Sequence, residues 1–316
     1  MIQPESSVTH LRPLFHIVAV ISNPVLYKSR YRLYKQFEQR MLAEQGIHFH
    51  TVELAQGKRG FAVTERGNPY HTQVTTEDEL WIKESLINHR ARTLAGAGWP
   101  DWKYLAWIDA DVSFNNPNWV NDTLHELQVA HVVQMFQNAV DLGPNYEALT
   151  IHPGFVWSYL NSQPASKQYQ NWHPGYAWAC TRYAFDRLGG LIDKAICGSG
   201  DRNMACALIS KGDQSYHEGV HANYAKMVSR WQERAEKYIK KDVSFVKGSL
   251  NHYHHGPKSA RGYRTRWGIL VDHQYDPEND VYVDGQGILR LDDDRIGLRE
   301  DLKKYLRSRN EDSIEV

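Results

Sequence analysis

Apolar positions along this chain follow two periods. Residues 16–21 form an apolar run closed by Ser22-Asn23-Pro24, which predicts a buried strand. Tyr27, Tyr31, Tyr34, Phe37 and Met41 then recur at intervals of three and four, an amphipathic helix that Gly46 stops. A second strand is expected over 47–54, completing a βαβ unit and implying a parallel sheet with right-handed crossovers. Residues 56–71 read as a polar, Gly-containing loop. Thr76 to Glu79 read as a capping box opening a helix over 80–94. The apolar run 104–108 predicts a central strand, and Asn116-Pro117 caps a helix carrying Val120, Leu124 and Leu127. A strand is expected over 129–136, and 138–170 is weakly periodic and reads as a mobile loop region. Helices are expected over 181–188, 201–209 and 222–240, and strands over 243–247 and 249–254. The charged tail from Asp292 reads as a solvated closing helix. No repeat or linker forces a division, so one α/β domain is expected.

Length and composition narrow the chemistry. The chain has 316 residues, 41% of them hydrophobic, enough for a core without metal or disulfide. Lys+Arg and Asp+Glu are both 37, so no global field draws the protein to nucleic acid or membrane, and any such contact must be local. Cys180, Cys197 and Cys206 cannot all pair, and none lies in a C-x-x-C. Reduced thiols and a cytoplasmic setting are expected, with no membrane span and no signal-peptide core over 1–13. The 10 Trp, 18 Tyr and 16 His suggest a site that stacks on flat or sugar-like ligands.

Asp109 and Asp111 terminate the apolar run 104–108, at the carboxyl edge of a strand, where open α/β sheets bind ligands. Two carboxylates there need a cation, and oxygen ligands suit Mg²⁺ or Mn²⁺ held together with substrate phosphates. The other D-x-D, Asp292 to Asp294, lies in a polar tail and reads as solvated. Lys258, Arg261, Arg264 and Arg266 supply charge suited to a leaving diphosphate. Asp201 follows Gly198-Ser199-Gly200 at a helix start, and is expected either as a cap or as a base for an acceptor hydroxyl. Trp172, His173, Tyr176 and Trp178 would form an aromatic acceptor wall, Trp178 being the one best suited to the core instead. His217-Glu218-Gly219-Val220-His221 matches the zinc-peptidase pattern H-E-x-x-H. Gly212 and Gly219 disfavour the helix that motif needs, and Tyr224 and Met227 stand where its metzincin extension wants Gly and His.

Several segments together resemble a known family. Trp107-Ile108-Asp109-Ala110-Asp111 follows a strand and the Lys83/Asn88 helix. Later come His173-Pro174-Gly175-Tyr176-Ala177-Trp178, Gly189-Gly190 with Gly198-Ser199-Gly200-Asp201, and His252-x-x-His255-Gly256-x-Lys258-x-x-Arg261-x-Tyr263-x-x-Arg266. In this order they resemble a group of bacterial and phage GT-A nucleotide-sugar glycosyltransferases, over roughly residues 16–292. The resemblance implies a Rossmann-like GT-A domain over 1–291, with a nucleotide-sugar half at 14–136, an acceptor half at 137–291 and a charged tail at 292–316. It implies that Asp111 ligates the metal, Asp109 contacts ribose or metal, and a later His completes the ligand set. On a continued strand His252 and His254 would share one face with His255 opposite, so His252 is expected first and His255 next. Ser22, Asn23, Glu53, Lys83, Asn88 and Asp109, with Lys258, Arg261 and Arg266, are the expected donor contacts. The expected reaction is metal-dependent, inverting transfer from a UDP-sugar to a hydroxyl. The acceptor is left between a saccharide and a hydroxymethylated pyrimidine in phage DNA, which would place the enzyme in the host cytoplasm. The rival readings are a zinc peptidase and a non-catalytic carbohydrate-binding protein.

Overall fold

The structure, a computed structural model, describes residues 8–316, so the reading of residues 1–7 lies outside it. The first half contains β1 (Phe15–Ser22), α1 (Lys28–Ala43), β2 (His48–Gln56), β3 (His71–Thr76), α2 (Lys83–Thr93), β4 (Tyr104–Ile108), β5 (Val112–Phe114) and α3 (Trp119–Glu126). Next come β6 (Val132–Gln134), β7 (Asn138–Leu142), β8 (Ala148–Pro153), α4 (Phe155–Leu160), β9 (Ala177–Thr181), α5 (Arg182–Leu188) and α6 (Gly200–Leu208). The chain continues through α7 (Ala222–Arg234), β10 (Val243–Phe245), β11 (Ser249–His252), α8 (Trp267–Asp272), β12 (Val281–Val283), β13 (Leu289–Leu291) and α9 (Ile296–Ser308).

The central sheet has seven strands in the order β10-β6-β9-β4-β1-β2-β3. Its pairs are parallel except where β9 runs between β4 and β6. This is the expected α/β class with a mostly parallel sheet. Both faces of the inner strands are buried, as helices on each side require. On β4, Leu105 and Trp107 join the core under α2, α5, α6 and α7, whereas Tyr104, Ala106 and Ile108 join the core under α1 and α3. A second sheet, β5-β11-β7-β8, stands beside the carboxyl end of β4. It carries His252, the last residue of β11, toward Asp111.

Several expectations are corrected. The expected loop holds over 57–70, but residues 71–76, for which no strand is expected, form β3 parallel to β2, because backbone pairing recruits a segment with little apolar content. The Thr76 hydroxyl accepts from the Asp78 amide, and α2 begins only at Lys83, so no capping box starts it. Residues 138–170 are ordered as β7, β8 and α4. The helix over 222–240 ends as an α-helix at Arg234 and closes in a π-turn. The tail is not a solvated appendage: Leu298, Leu302, Tyr305 and Leu306 of α9 enter the core, and Glu311 beyond it is 1% exposed. Asp293 and Asp294 are exposed, as read. Among the described residues no helix is long and apolar enough to cross a membrane, and the three cysteines are free and buried.

Candidate active site

A cleft of about 1060 Å³ opens at the carboxyl ends of β1 and β4. Its floor is the turn after β4, tied down by the Asp109 amide donating to the Tyr176 carbonyl and the Tyr253 amide donating to the Asp111 carbonyl. Tyr176 and Ser199 line the cleft with φ of 75° and 77°, an uncommon conformation for residues with a side chain.

Three ligand-type side chains converge there. His255 Nε2 lies 2.9 Å from Asp111 Oδ2, His252 Nε2 lies 4.0 Å from the same oxygen, and the two imidazole Nε2 atoms are 3.2 Å apart. Asp111, His252 and His255 are the one such metal-competent group among the described residues. Asp111 Oδ1 is buried with no hydrogen-bond partner, the state expected of an oxygen that a cation should satisfy. One carboxylate and two imidazoles form a mixed oxygen and nitrogen donor set open to divalent ions such as Mn²⁺, Fe²⁺ or Zn²⁺, with remaining positions that substrate oxygens can fill. Burial pushes the Asp111 carboxyl up, but His255, His252 and Arg261 outweigh it and hold it well below the carboxylate range.

The expectation about faces fails here. β11 ends at His252, so strand alternation does not continue, and the chain turns His255 back beside it. His254 instead meets the Ser313 carbonyl. Asp109 is separated from the triad, because its Oδ1 takes the Lys83 ammonium at 2.9 Å. Glu84 lies 3.7 Å from that ammonium, and burial pushes its carboxyl up to about 7.

A layer that the sequence did not reveal supports the triad. Asp141 of β7 accepts from four groups: His252 Nδ1 at 2.9 Å and the Tyr176 hydroxyl at 2.9 Å on Oδ1, and His152 Nε2 at 2.6 Å and Lys258 on Oδ2. Burial pushes the His252 pKa down, favouring the neutral ring, and in that form, with Nδ1 donating to Asp141, its Nε2 lone pair faces Asp111. On the other side Glu311 lies 3.5 Å from His255 Nδ1 and pairs with Arg30 and Arg309 at 2.5 and 2.8 Å.

The other expected site residues divide by position. Lys83, Lys258, Arg261, Arg266, Asp201, Trp172, His173 and Tyr176 all line the cleft. Arg261 donates to His255 Nε2 and to the His255 carbonyl, and Arg266 reaches the Ser199 and Tyr305 hydroxyls. Asp201, in the first turn of α6, has its Oδ2 so close to Gly175 that a Cβ there would sit 2.6 Å away. His173 and Tyr176 stack at 4.0 Å between ring centroids, and Tyr176 stacks in turn on His252 at 4.6 Å. Ser22 and Asn23 lie in a small recess that shares Trp81 and Lys83 with the cleft.

Three expected site residues lie elsewhere. Trp178 is a β9 core residue, packed with the α2, α5, α6 and α7 side of the sheet, and its indole N–H donates to the Pro174 carbonyl. Asn88 is buried between the Leu191 backbone and Asp193, tying α2 to the 190s segment. Glu53 accepts three backbone amides of residues 62–64 and organises that loop. His217 and His221 lie in a loop, with Nδ1 of each accepting from the amide two residues on, and they form no zinc-peptidase pair.

No family model and no curated protein sequence matches the chain. Among solved structures, it is similar to a Drosophila β-1,4-galactosyltransferase 7 variant complexed with manganese, UDP-galactose and xylobiose. The identity is 13%, with 91% of this chain and 98% of that one covered, at a TM-score of 0.43. It is also similar to glucosyl-3-phosphoglycerate synthase from Mycobacterium tuberculosis, in complex with Mn²⁺, UDP and glucosyl-3-phosphoglycerate. There the identity is 10%, the coverage 87% and 84%, and the TM-score 0.39. Both likenesses are distant.

Proposed function

We propose that this protein is a metal-dependent GT-A glycosyltransferase that moves a sugar from a nucleotide-sugar, a UDP-sugar, to a hydroxyl acceptor with inversion. The observation that carries it is the convergence of His252 and His255 on Asp111 Oδ2, with the other oxygen of that carboxylate buried and unpartnered, inside a cleft rich in guanidinium groups. Mn²⁺ or Mg²⁺ held by these three residues would offset the charge that develops on a departing diphosphate.

The chain's own groups supply the rest. Arg261 and Arg266, with Lys258 at the rim, bind the diphosphate and stabilise it as the bond to the anomeric carbon breaks. Asp201 takes the proton of the acceptor hydroxyl while that oxygen bonds to the same carbon from the opposite side. His173 and Tyr176 present ring faces to the acceptor, and the recess at Ser22, Asn23 and Trp81 takes the nucleoside. A saccharide and a hydroxymethylated pyrimidine present the same hydroxyl to Asp201. The three buried free thiols support a reducing, cytoplasmic setting.

Hydrolysis of UDP-sugars tests this. Turnover should stop with chelator, return with Mn²⁺, and be lost in Asp111→Asn. Chelator-resistant turnover, or a fully active Asp111→Asn, would overturn the reading.

A further inference from the structure

The cleft holds more positive charge than a donor needs. Nine of its lining residues are Lys or Arg and five are Asp or Glu. Asp141 and Glu311, which stand behind the wall and pair with cleft cations, bring the comparison to nine against seven. A divalent ion and the diphosphate of a nucleotide-sugar cancel one another in formal charge, so donor binding leaves that excess in place.

The excess is localised. Arg30 and Arg309 share Glu311, Lys83 takes Asp109, and Lys258 takes Asp141. Among the described residues Arg202, Arg261, Arg264 and Arg266 have no carboxylate partner, and with Arg261 and Arg266 assigned to the diphosphate in the proposed reaction, Arg202 and Arg264 are left over. Arg202 donates to the Gln168 carbonyl and, at 3.4 Å, to the Gln214 carbonyl, and Arg264 donates to the Gln170 side-chain amide at 3.0 Å. Both guanidinium groups therefore converge on segment 168–170, beside the cleft-lining Lys167. The Arg202 Nε is buried with no partner. Two guanidinium forks without carboxylates, one of them with an unsatisfied donor, form an arrangement that an oxyanion completes.

Position assigns this anion to the acceptor rather than the donor. Arg202 adjoins Asp201 in the chain, and its amide donates to Asp201 Oδ1 at 2.7 Å. A molecule whose hydroxyl lies at Asp201 has its remainder against Arg202 and segment 167–170. The size of the excess matches the nearly double charge of a phosphate monoester better than the single charge of a carboxylate.

We propose that the acceptor carries a phosphate monoester, held by Arg202 and Arg264 with Lys167, beside Asp201. This rests on the glycosyltransferase reading and names its acceptor class.

The test uses the whole protein loaded with Mn²⁺ and UDP, so that the diphosphate site is filled. Inorganic phosphate, glucose 6-phosphate, glucuronate and a short oligodeoxynucleotide are titrated in turn by calorimetry. The expected result is saturable binding of the first two, weakened about tenfold or more in Arg202→Gln and in Arg264→Gln. Arg202→Gln should keep the parent's affinity for Mn²⁺ and UDP. Nucleotide binding without phosphate binding overturns the inference, as does phosphate binding that ignores both substitutions. Preference for glucuronate or for the oligonucleotide overturns it too. Failure of Mn²⁺ and UDP to bind removes the proposed function instead, while phosphate binding lost in the two variants would stand on its own.

Discussion

Replacing Asp141 with Asn probes how the candidate metal site is held. The carboxylate is 4% exposed and surrounded by donors alone: His252 and Tyr176 at one oxygen, His152 and Lys258 at the other. An asparagine amide must set its NH₂ against one of these pairs in either orientation, so no flip rescues it. If the NH₂ faces His252, the imidazole loses the acceptor that fixes its Nδ1 proton, and Nε2 no longer presents a lone pair to Asp111 for all of the time. If it faces Lys258, a charged donor is stranded instead. Outer-shell carboxylates of this kind are worth about 10–100-fold in metal affinity, or roughly 1.4–2.8 kcal/mol. The lost hydrogen bonds should also cost about 1–3 kcal/mol of stability. Titration with Mn²⁺, followed by calorimetry or by loss of the free-ion resonance signal, measures the first quantity, and thermal unfolding without metal measures the second. His152→Ala removes one of the two donors at the far oxygen, where Lys258 remains, and leaves His252 held, so it should disturb Mn²⁺ affinity much less. A folded Asp141→Asn that binds Mn²⁺ as tightly as the parent would refute the reasoning.

Three further outcomes follow from the same geometry. Gly175→Ala places a methyl 2.6 Å from Asp201 Oδ2, so transfer kcat should fall about 10–100-fold with donor affinity unchanged; an unaltered kcat would show that Asp201 is not positioned there for catalysis. Trp178→Ala should lower stability by about 3–5 kcal/mol, read as a shift in the denaturation midpoint, and should not selectively raise an acceptor KM. Burial opposes Glu311 ionisation, but Arg30, Arg309 and His255 outweigh it and hold the carboxyl well below its ordinary value. A depressed carboxylate stabilises the fold above its unfolded pKa of about 4.3, and that stability is lost as pH falls further. The midpoint temperature should therefore drop below about pH 5, and Glu311→Gln should show a lower plateau with a shallower drop.

The legible parts of the site are those whose neighbours in space are neighbours in the chain. Asp109 and Asp111 stood out because five consecutive apolar residues end at them, and such a run implies a strand buried on both faces. The first βαβ unit was legible for a similar reason, its helix stripe being unbroken from Tyr31 to Met41. His252 and His255 were found as residue types, but their shared direction depends on where β11 stops, which no periodicity marks. Asp141 was missed because β8, its partner strand, exposes most of its side chains and so lacks alternation, making the region look like loop. Ala139 and Asp141 are the buried pair of β7, yet the apolar Val140 and Leu142 lie on its other face, so the five residues give no sign that the Asp is the one turned inward. Glu311 offered no local sign at all. Its burial is set by Arg30 on α1, and composition around residue 311 reads as solvated.

That last contact separates its partners by 281 residues. During synthesis the sheet, both histidines and Asp111 emerge long before position 311 does, at a rate of about 5–20 residues per second. Until then Arg30 and Arg309 lack the carboxylate they share, and Glu311 is not there to stand behind His255. A ribosome-bound chain halted shortly before residue 311 would thus carry a nearly complete α/β body with an open, unbalanced ligand set. The brace behind His255 is therefore the last part of the candidate site to be completed during synthesis.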